Sequence, residues 1–325
     1  MSRRFGLCLV ALAALVVAPA VRADGPSTGG VLNNAIVIAA NGSGYYFVTS
    51  AGAQTALEVQ TSRGLTRTSM LPGAWGIPTV TMRGDADGLS RNGKTLVLAR
   101  NGMSSPSTFL IVNTRTLKAT KRVVLKGYFA FDALSPDGSL LYLIQHTSIN
   151  DLTHYVVRAY DLRSDRLLPY RIADKTQQNW VMQGYAMTRA TGPGGRWVYT
   201  LYQNPGGYPF IHALDTVNSV AHCIGLPWTG DQSKLWNVML TVGIGGKALS
   251  VSWRSGKPWL AVNTANWDIT HVAAAARPST PPRTGGFPWR WFLGAAAGVI
   301  ILALGFAAAL RANRSRRFRV GRAPA

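Results

Sequence analysis

Leu134-Ser135-Pro136-Asp137-Gly138-Ser139-Leu140-Leu141-Tyr142-Leu143 joins a tight turn to a strand. Asp and Ser hydrogen-bond to nearby backbone, and Gly tolerates the positive φ of a hairpin corner. The aliphatic and aromatic run that follows suits a pleated, buried surface. The pattern recurs at Leu89-Ser-Arg-Asn-Gly-Lys-Thr-Leu-Val-Leu98 and Ala190-Thr-Gly-Pro-Gly-Gly-Arg-Trp-Val-Tyr199, with looser copies at Asn41–Val48 and Gly243–Ser250. Aligned on Gly44, Gly93, Gly138, Gly195 and Gly246, the copies are 49, 45, 57 and 51 residues apart. Working outward from the third copy, the sequence predicts strands at 128–134, 140–145, 155–161 and 166–172. The fourth unit reads as strands at 180–188, 197–202, 209–214 and 220–226, and the fifth as 235–242, 248–253, 259–262 and 269–273. The first two units fit less cleanly. Five units of four strands, each about 50 residues long, make an all-β chain with the arithmetic of a β-propeller of about five blades. A β-sandwich with as many strands would require no repeat.

The Ser-Pro-Asp-Gly turn followed by Leu-Tyr-Leu resembles the blades of secreted bacterial propellers of the Tyr-Val-Thr-Asn and TolB-like kind. The run Val156-Val-Arg-Ala-Tyr-Asp-Leu-Arg-Ser-Asp-Arg-Leu-Leu168 is similar to their paired outer strands. The resemblance covers residues 90–265 well and 31–90 loosely. It implies a fold and leaves the chemistry open, because propellers host many functions.

The two ends read as targeting segments. Arg3 and Arg4 precede an apolar run at 5–17, and small residues lead to a cleavage site after Ala23, so 1–23 is expected to be a signal peptide. Trp291–Leu310 is an uncharged stretch of 20 residues, the length of a transmembrane helix. Six arginines follow it, which places the tail 311–325 in the cytoplasm and the domain 24–276 outside. Residues 277–290, rich in Pro, Ser and Thr, form a stalk. Within it, Pro281-Pro-Arg-Thr284-Gly285, followed by the apolar helix and Arg tail, resembles a Gram-positive LPxTG cell-wall sorting signal, with Pro281 where the family has Leu. That resemblance implies sortase cleavage between Thr284 and Gly285. Plain membrane anchoring through Trp291–Leu310 is the alternative. Leu226-Pro-Trp-Thr-Gly230 matches LPxTG letter for letter, but it lies within strand-like sequence and is expected to be a folded turn.

The chain carries 34 Lys and Arg against 13 Asp and Glu, a net charge of +21. Twelve of the basic residues lie in the signal, stalk and tail, so 24–276 keeps 22 against 13 acids, or +9. Such a charge outside the cytoplasm reads first as a generic basic surface; as partners, anionic wall polymers or lipid headgroups suit it better than nucleic acid, which is not expected. Hydrophobic residues at 47% and charged residues at 14% exclude a disordered polyelectrolyte. Two cysteines exclude a disulfide scaffold or a multi-cysteine zinc protein. No P-loop, dinucleotide fingerprint or nucleophile elbow stands in a strand–turn–helix context. No cofactor is named by the residues.

Candidate site residues come from position in the repeat. Aligned on the turn, Asp87, Asp132 and Thr188 fall on inner strands, facing a central channel where two carboxylates could serve a metal or a sugar; the alternative is that each Asp caps its own turn. Glycosidases need paired carboxylates, and their general acid is commonly Glu. The only Glu, Glu58, lies on what reads as an outer strand. His212 and His222, near Cys223 on adjacent strands, are the candidate metal ligands, and half-buried strand residues otherwise. Trp75 and Trp228, in Gly/Pro-rich loops, are the tryptophans expected to be exposed and to stack on ligand. The sequence is therefore read as a surface-tethered propeller that binds a wall polymer, glycan or protein. An extracytoplasmic hydrolase or lactonase-like enzyme using channel Asp and His is the alternative, and a sensor with a partner is a third reading.

Overall fold

The computed structural model describes residues 31–272, apart from 33–34, 39–43, 62, 65 and 178–180. The expected signal peptide, stalk, sorting site Thr284–Gly285, helix Trp291–Leu310 and tail lie outside the described residues. Among the described residues no helix is long and apolar enough to cross a membrane.

The chain is a β-propeller of five consecutive antiparallel blades. Blade one pairs Ala35–Ile38, Gly44–Ala51, Gln54–Thr61 and Thr66–Pro72 in chain order. Blade two has three regular strands, Thr95–Ala99, Ser107–Asn113 and Lys118–Leu125. Its inner strand is interrupted: Gly76 bridges Ala99 and Leu89 bridges Leu96, while Ile77–Pro78 between them pairs instead with Val31–Leu32. Blade three comprises Tyr128–Leu134, Leu140–His146, His154–Asp161 and the short Arg166–Leu167. Blade four comprises Tyr185–Thr191, Trp197–Gln203, Phe210–Asp215 and Val220–Gly225. Blade five comprises Val238–Val242, Ala248–Trp253, Pro258–Asn263 and Ile269–His271.

Three predicted strands shift. The outer strand of blade three is only Arg166–Leu167 plus a bridge from Ile172 to Val157. The segment expected to begin blade four instead contributes Met182–Gln183 to the free edge of His154–Asp161. Before blade five, 232–237 forms a short 3₁₀ turn capped by the Asp231 side chain, so the strand starts at Val238.

The repeat gives blades because each sheet is covered on both faces, which explains the near-continuous apolar runs. Alternation divides each run between two neighbours. Leu96 and Leu98 pack with blade one, whereas Val97 and Ala99 pack with blade three. Phe129 and Phe131 face blade two, and Ala130 and Ala133 face blade four. That last pair is three apart because Asp132 is an extra, bulged residue that breaks the ladder between Phe131 and Ala133. Burying each Leu or Phe is worth about 1.5–3 kcal/mol, so the four inter-blade cores dominate stability.

The inner hairpins of blades two to five repeat one hydrogen-bond pattern. The amides of Ser90, Ser135, Gly192 and Gly243 donate to the carbonyls of Thr95, Leu140, Trp197 and Ala248. Gly93, Gly138, Gly195 and Gly246 close these turns at φ of 70–76°, which favours glycine. These turns define one face of the molecule.

Candidate functional site: the central channel

Counting back three residues from each turn-opening amide gives structurally equivalent positions: Asp87, Asp132, Arg189 and Leu240. Asp87 and Asp132 thus share an inner-strand position, as the sequence suggests. Thr188 does not. It is buried one residue away, and Arg189 takes the equivalent place. The alignment slips because the blade-four turn opens at Gly192 rather than Thr191. Counting six back from the aligned Gly195, instead of matching the apolar residue before the turn, would have found Arg189.

Arg189 joins the two carboxylates. Its Nη1 donates to the Asp132 carbonyl, its Nη2 to Asp132 Oδ1, and its Nε to Thr200 Oγ1 at 3.1 Å. Nη1 also lies 3.7 Å from Asp87 Oδ2. The Arg189 and Asp132 side chains are only 6% and 3% exposed. Three blades, the second, third and fourth, are tied by one guanidinium, the residue best suited to a buried ion pair. Burial pushes the Asp87 carboxyl above its ordinary value, opposed by Arg189 and by the Gly88 amide, which donates to Asp87 Oδ1 at 2.7 Å.

The interruption of blade two's inner strand is explained at the same place. Residues 79–86 leave the sheet as a hairpin closed by the Thr79–Ala86 bridge and the Val80-to-Asp85 hydrogen bond. Met82 N donates to Ala186 O of blade four at 2.7 Å, and Arg83 Nη1 to Val238 O of blade five at 2.9 Å. Blades four and five are not adjacent to blade two in the order of the blades, so the hairpin reaches across the channel to them. Between it and the turn face lies a cavity of about 420 Å³. Val37, Leu89, Leu134 and Val198 line it, with Asp87 and Arg189 on the wall and Arg91 at the hairpin-turn end.

The two candidate metal ligands do not meet. His212 pairs across the ladder with Cys223, and His222 with Ala213, so alternation sends the two imidazoles to opposite faces of blade four. His212 is buried behind Tyr202, with Nδ1 3.8 Å from Cys223 Sγ. Burial depresses it to about 4, so the ring is neutral at pH 7. Burial likewise raises the Cys223 thiol to about 12, which makes it a poor nucleophile. His222 instead lies 3.0 Å from Asp174 and stacks on Trp267 at 4.9 Å. Among the described residues no group of three or more His, Cys, Asp or Glu could hold a metal ion.

Both candidate stacking tryptophans are buried, at 1% exposure for Trp75 and 9% for Trp228. Trp75 fills the interface of blades one and two, its Nε1 donating to Pro72 O at 2.7 Å. Trp228 joins an aromatic cluster with Trp253 and Trp259, and Leu226–Gly230 is the folded segment expected. Loop glycines and prolines let these rings fold back onto the core. Among the described residues the exposed tryptophan is Trp236, at 43%, whereas Trp197 is half-buried against the core of blades four and five; the sequence alone does not separate either from the core tryptophans.

No family model matches the sequence, and no curated protein matches it. Solved structures similar in fold include TolB from Acinetobacter baumannii, at 12% identity and TM-score 0.43, covering 74% of this chain and 53% of that one. A functionally unknown protein from Desulfotomaculum acetoxidans is similar at 12% identity and TM-score 0.47, with 76% and 74% covered. An oligogalacturonate lyase in complex with manganese is similar at 10% identity and TM-score 0.46, with 74% and 64% covered. The chain spans about half the length of that TolB. None of these likenesses bears on activity.

Proposed function

We propose that this chain is a ligand- or partner-binding scaffold displayed outside the cytoplasm and tethered by Trp291–Leu310. The observation that carries the binding reading is the Asp87–Arg189–Asp132 bracket. A glycosidase needs one carboxyl group free to give a proton and a second free to attack or to activate water. Asp132 is instead committed to Arg189, and a hairpin crosses the channel beside it. These polar groups hold blades together, which leaves the outer surface for recognition. The signal-like N-terminus and the apolar stretch followed by six arginines support the placement.

Two experiments test this. A panel of glycosides, esters and lactones is offered to the full-length chain, and no turnover is expected; turnover abolished in Asp87→Asn with folding intact would establish the hydrolase alternative. Mass spectrometry of the mature chain reads its C-terminus. Retention of 311–325 is expected, whereas an end at Thr284 would replace membrane tethering by wall attachment.

A further inference from the structure

A groove of about 580 Å³ opens on the hairpin-turn face between blades four and five, within the ~300–1,000 Å³ range of small-ligand clefts. Arg196, Trp197 and Tyr199 line one side, and Lys247, Asn263 and Thr264 the other. We propose that this groove binds an acidic carbohydrate, its sugar ring lying against Trp197 and its carboxylate meeting Arg196 and Lys247. The proposal deepens the scaffold reading and rests on it.

Arg196 is an arginine already aimed. Its Nε and Nη2 donate to Asp215 Oδ2 at 2.9 and 2.6 Å. Asp215 is held in turn by the amides of Val217 and Asn218 and by Asn218 Nδ2. The Asp215 side chain is 1% exposed and that of Arg196 is 51%. One edge of the guanidinium is therefore fixed and the other faces solvent, since Nη1 makes no hydrogen bond among the described residues. A planar fork held this way suits a carboxylate.

The aromatic wall is equally fixed. Trp197 stacks against Tyr199 at 6.2 Å and meets Trp267 edge-on at 5.2 Å, and the Arg196 guanidinium lies 5.7 Å from its ring centre. A half-buried indole with a set orientation offers apolar area at little entropic cost. Across the groove, Lys247 is exposed and makes no ion pair among the described residues. Asn263 Oδ1 accepts from Ala265 N at 2.9 Å, which leaves its amide nitrogen to reach a hydroxyl. With Arg196 and Asp215 balancing each other, Lys247 gives the groove its net positive charge, beside the free Arg196 edge, hydrogen-bond donors and one apolar ring. That is the complement of an acidic sugar. A single-stranded nucleic acid calls for a longer basic track with several stacking rings.

Hyaluronan and alginate tetrasaccharides are titrated into the full-length chain by calorimetry at low and high salt, beside neutral cellotetraose and a short oligothymidylate. Expected is binding of an acidic tetrasaccharide at least about tenfold tighter than cellotetraose, weakening with salt. Trp197→Ala should weaken it about tenfold and Lys247→Gln about threefold, while Trp197→Phe stays close to wild type. If Trp197→Ala does not fold, Lys247→Gln and Trp197→Phe carry the test. The proposal is overturned by equal affinity for neutral and acidic sugars, by preference for the oligothymidylate, by wild-type affinity in Lys247→Gln, or by no sugar binding at all. That last result leaves the scaffold reading standing, because absence of turnover tests it separately.

Discussion

Arg189 and Arg196 lie on the same blade and each serves a buried aspartate, yet they do opposite work. Arg189 is enclosed and nearly spent on Asp132, Asp87 and Thr200. Arg196 is half in water, with its outer edge unspent. A charge surrounded by protein partners is fixed to the fold, because removing one member strands the others in a medium that solvates them poorly. A charge held by one partner and facing solvent is preorganised for something outside. The contrast separates the part of this molecule that holds it together from the part that can recognise a ligand.

Breaking each arginine sharpens the comparison. Arg189→Met leaves two carboxylates without their counter-charge, and denaturant unfolding should show a loss of about 3–5 kcal/mol. Arg196→Met should cost only about 1 kcal/mol, because Asp215 keeps three N–H donors from residues 217 and 218. Equal losses would erase the distinction. The next effect is one of pH. His212, at about 4 in the fold, binds a proton less readily than an unfolded histidine near 6.5. Between these values the unfolded chain takes up the proton and the native chain does not, so stability falls as pH drops from about 6.5 to 4. The loss approaches about 3 kcal/mol, and His212→Phe should flatten that part of the stability–pH curve. Smaller still, Arg83→Ala removes the hydrogen bond by which the channel-crossing hairpin reaches blade five, an expected loss of about 1 kcal/mol in the same unfolding assay. Lys247→Gln should leave the unfolding free energy within about 0.5 kcal/mol of wild type, as a solvated groove residue would.

The blades were legible in the sequence because one hydrogen-bonded turn recurs with glycine at its closing position and apolar strands on either side. Blade two was harder to read because its inner strand is interrupted by 79–86, whose partners lie in blades four and five. Local pattern carries no trace of a hairpin that pairs across a channel. Asp87 and Asp132 could be found by counting from the turn. Their partner Arg189 lies one residue beyond the position that the sequence pattern marks, Thr188, since Ala190 imitates the apolar residue that precedes the other turns. Trp75 and Trp228 show the limit of reading exposure from loop composition: Gly and Pro permit a chain to fold its indole inward as readily as outward. His212 and His222 illustrate the period of two, by which strand neighbours close in the ladder turn to different faces.

The most direct test of the account measures stability and turnover together in wild type, Asp87→Asn and Asp132→Asn. The account predicts that Asp132→Asn lowers the melting temperature by roughly 5–10 °C, that Asp87→Asn has the smaller effect, and that none of the three turns over glycosides, esters or lactones. Turnover by the wild type that disappears in Asp87→Asn while both variants melt at the wild-type temperature would contradict it, and would make the channel an active site rather than a bracket.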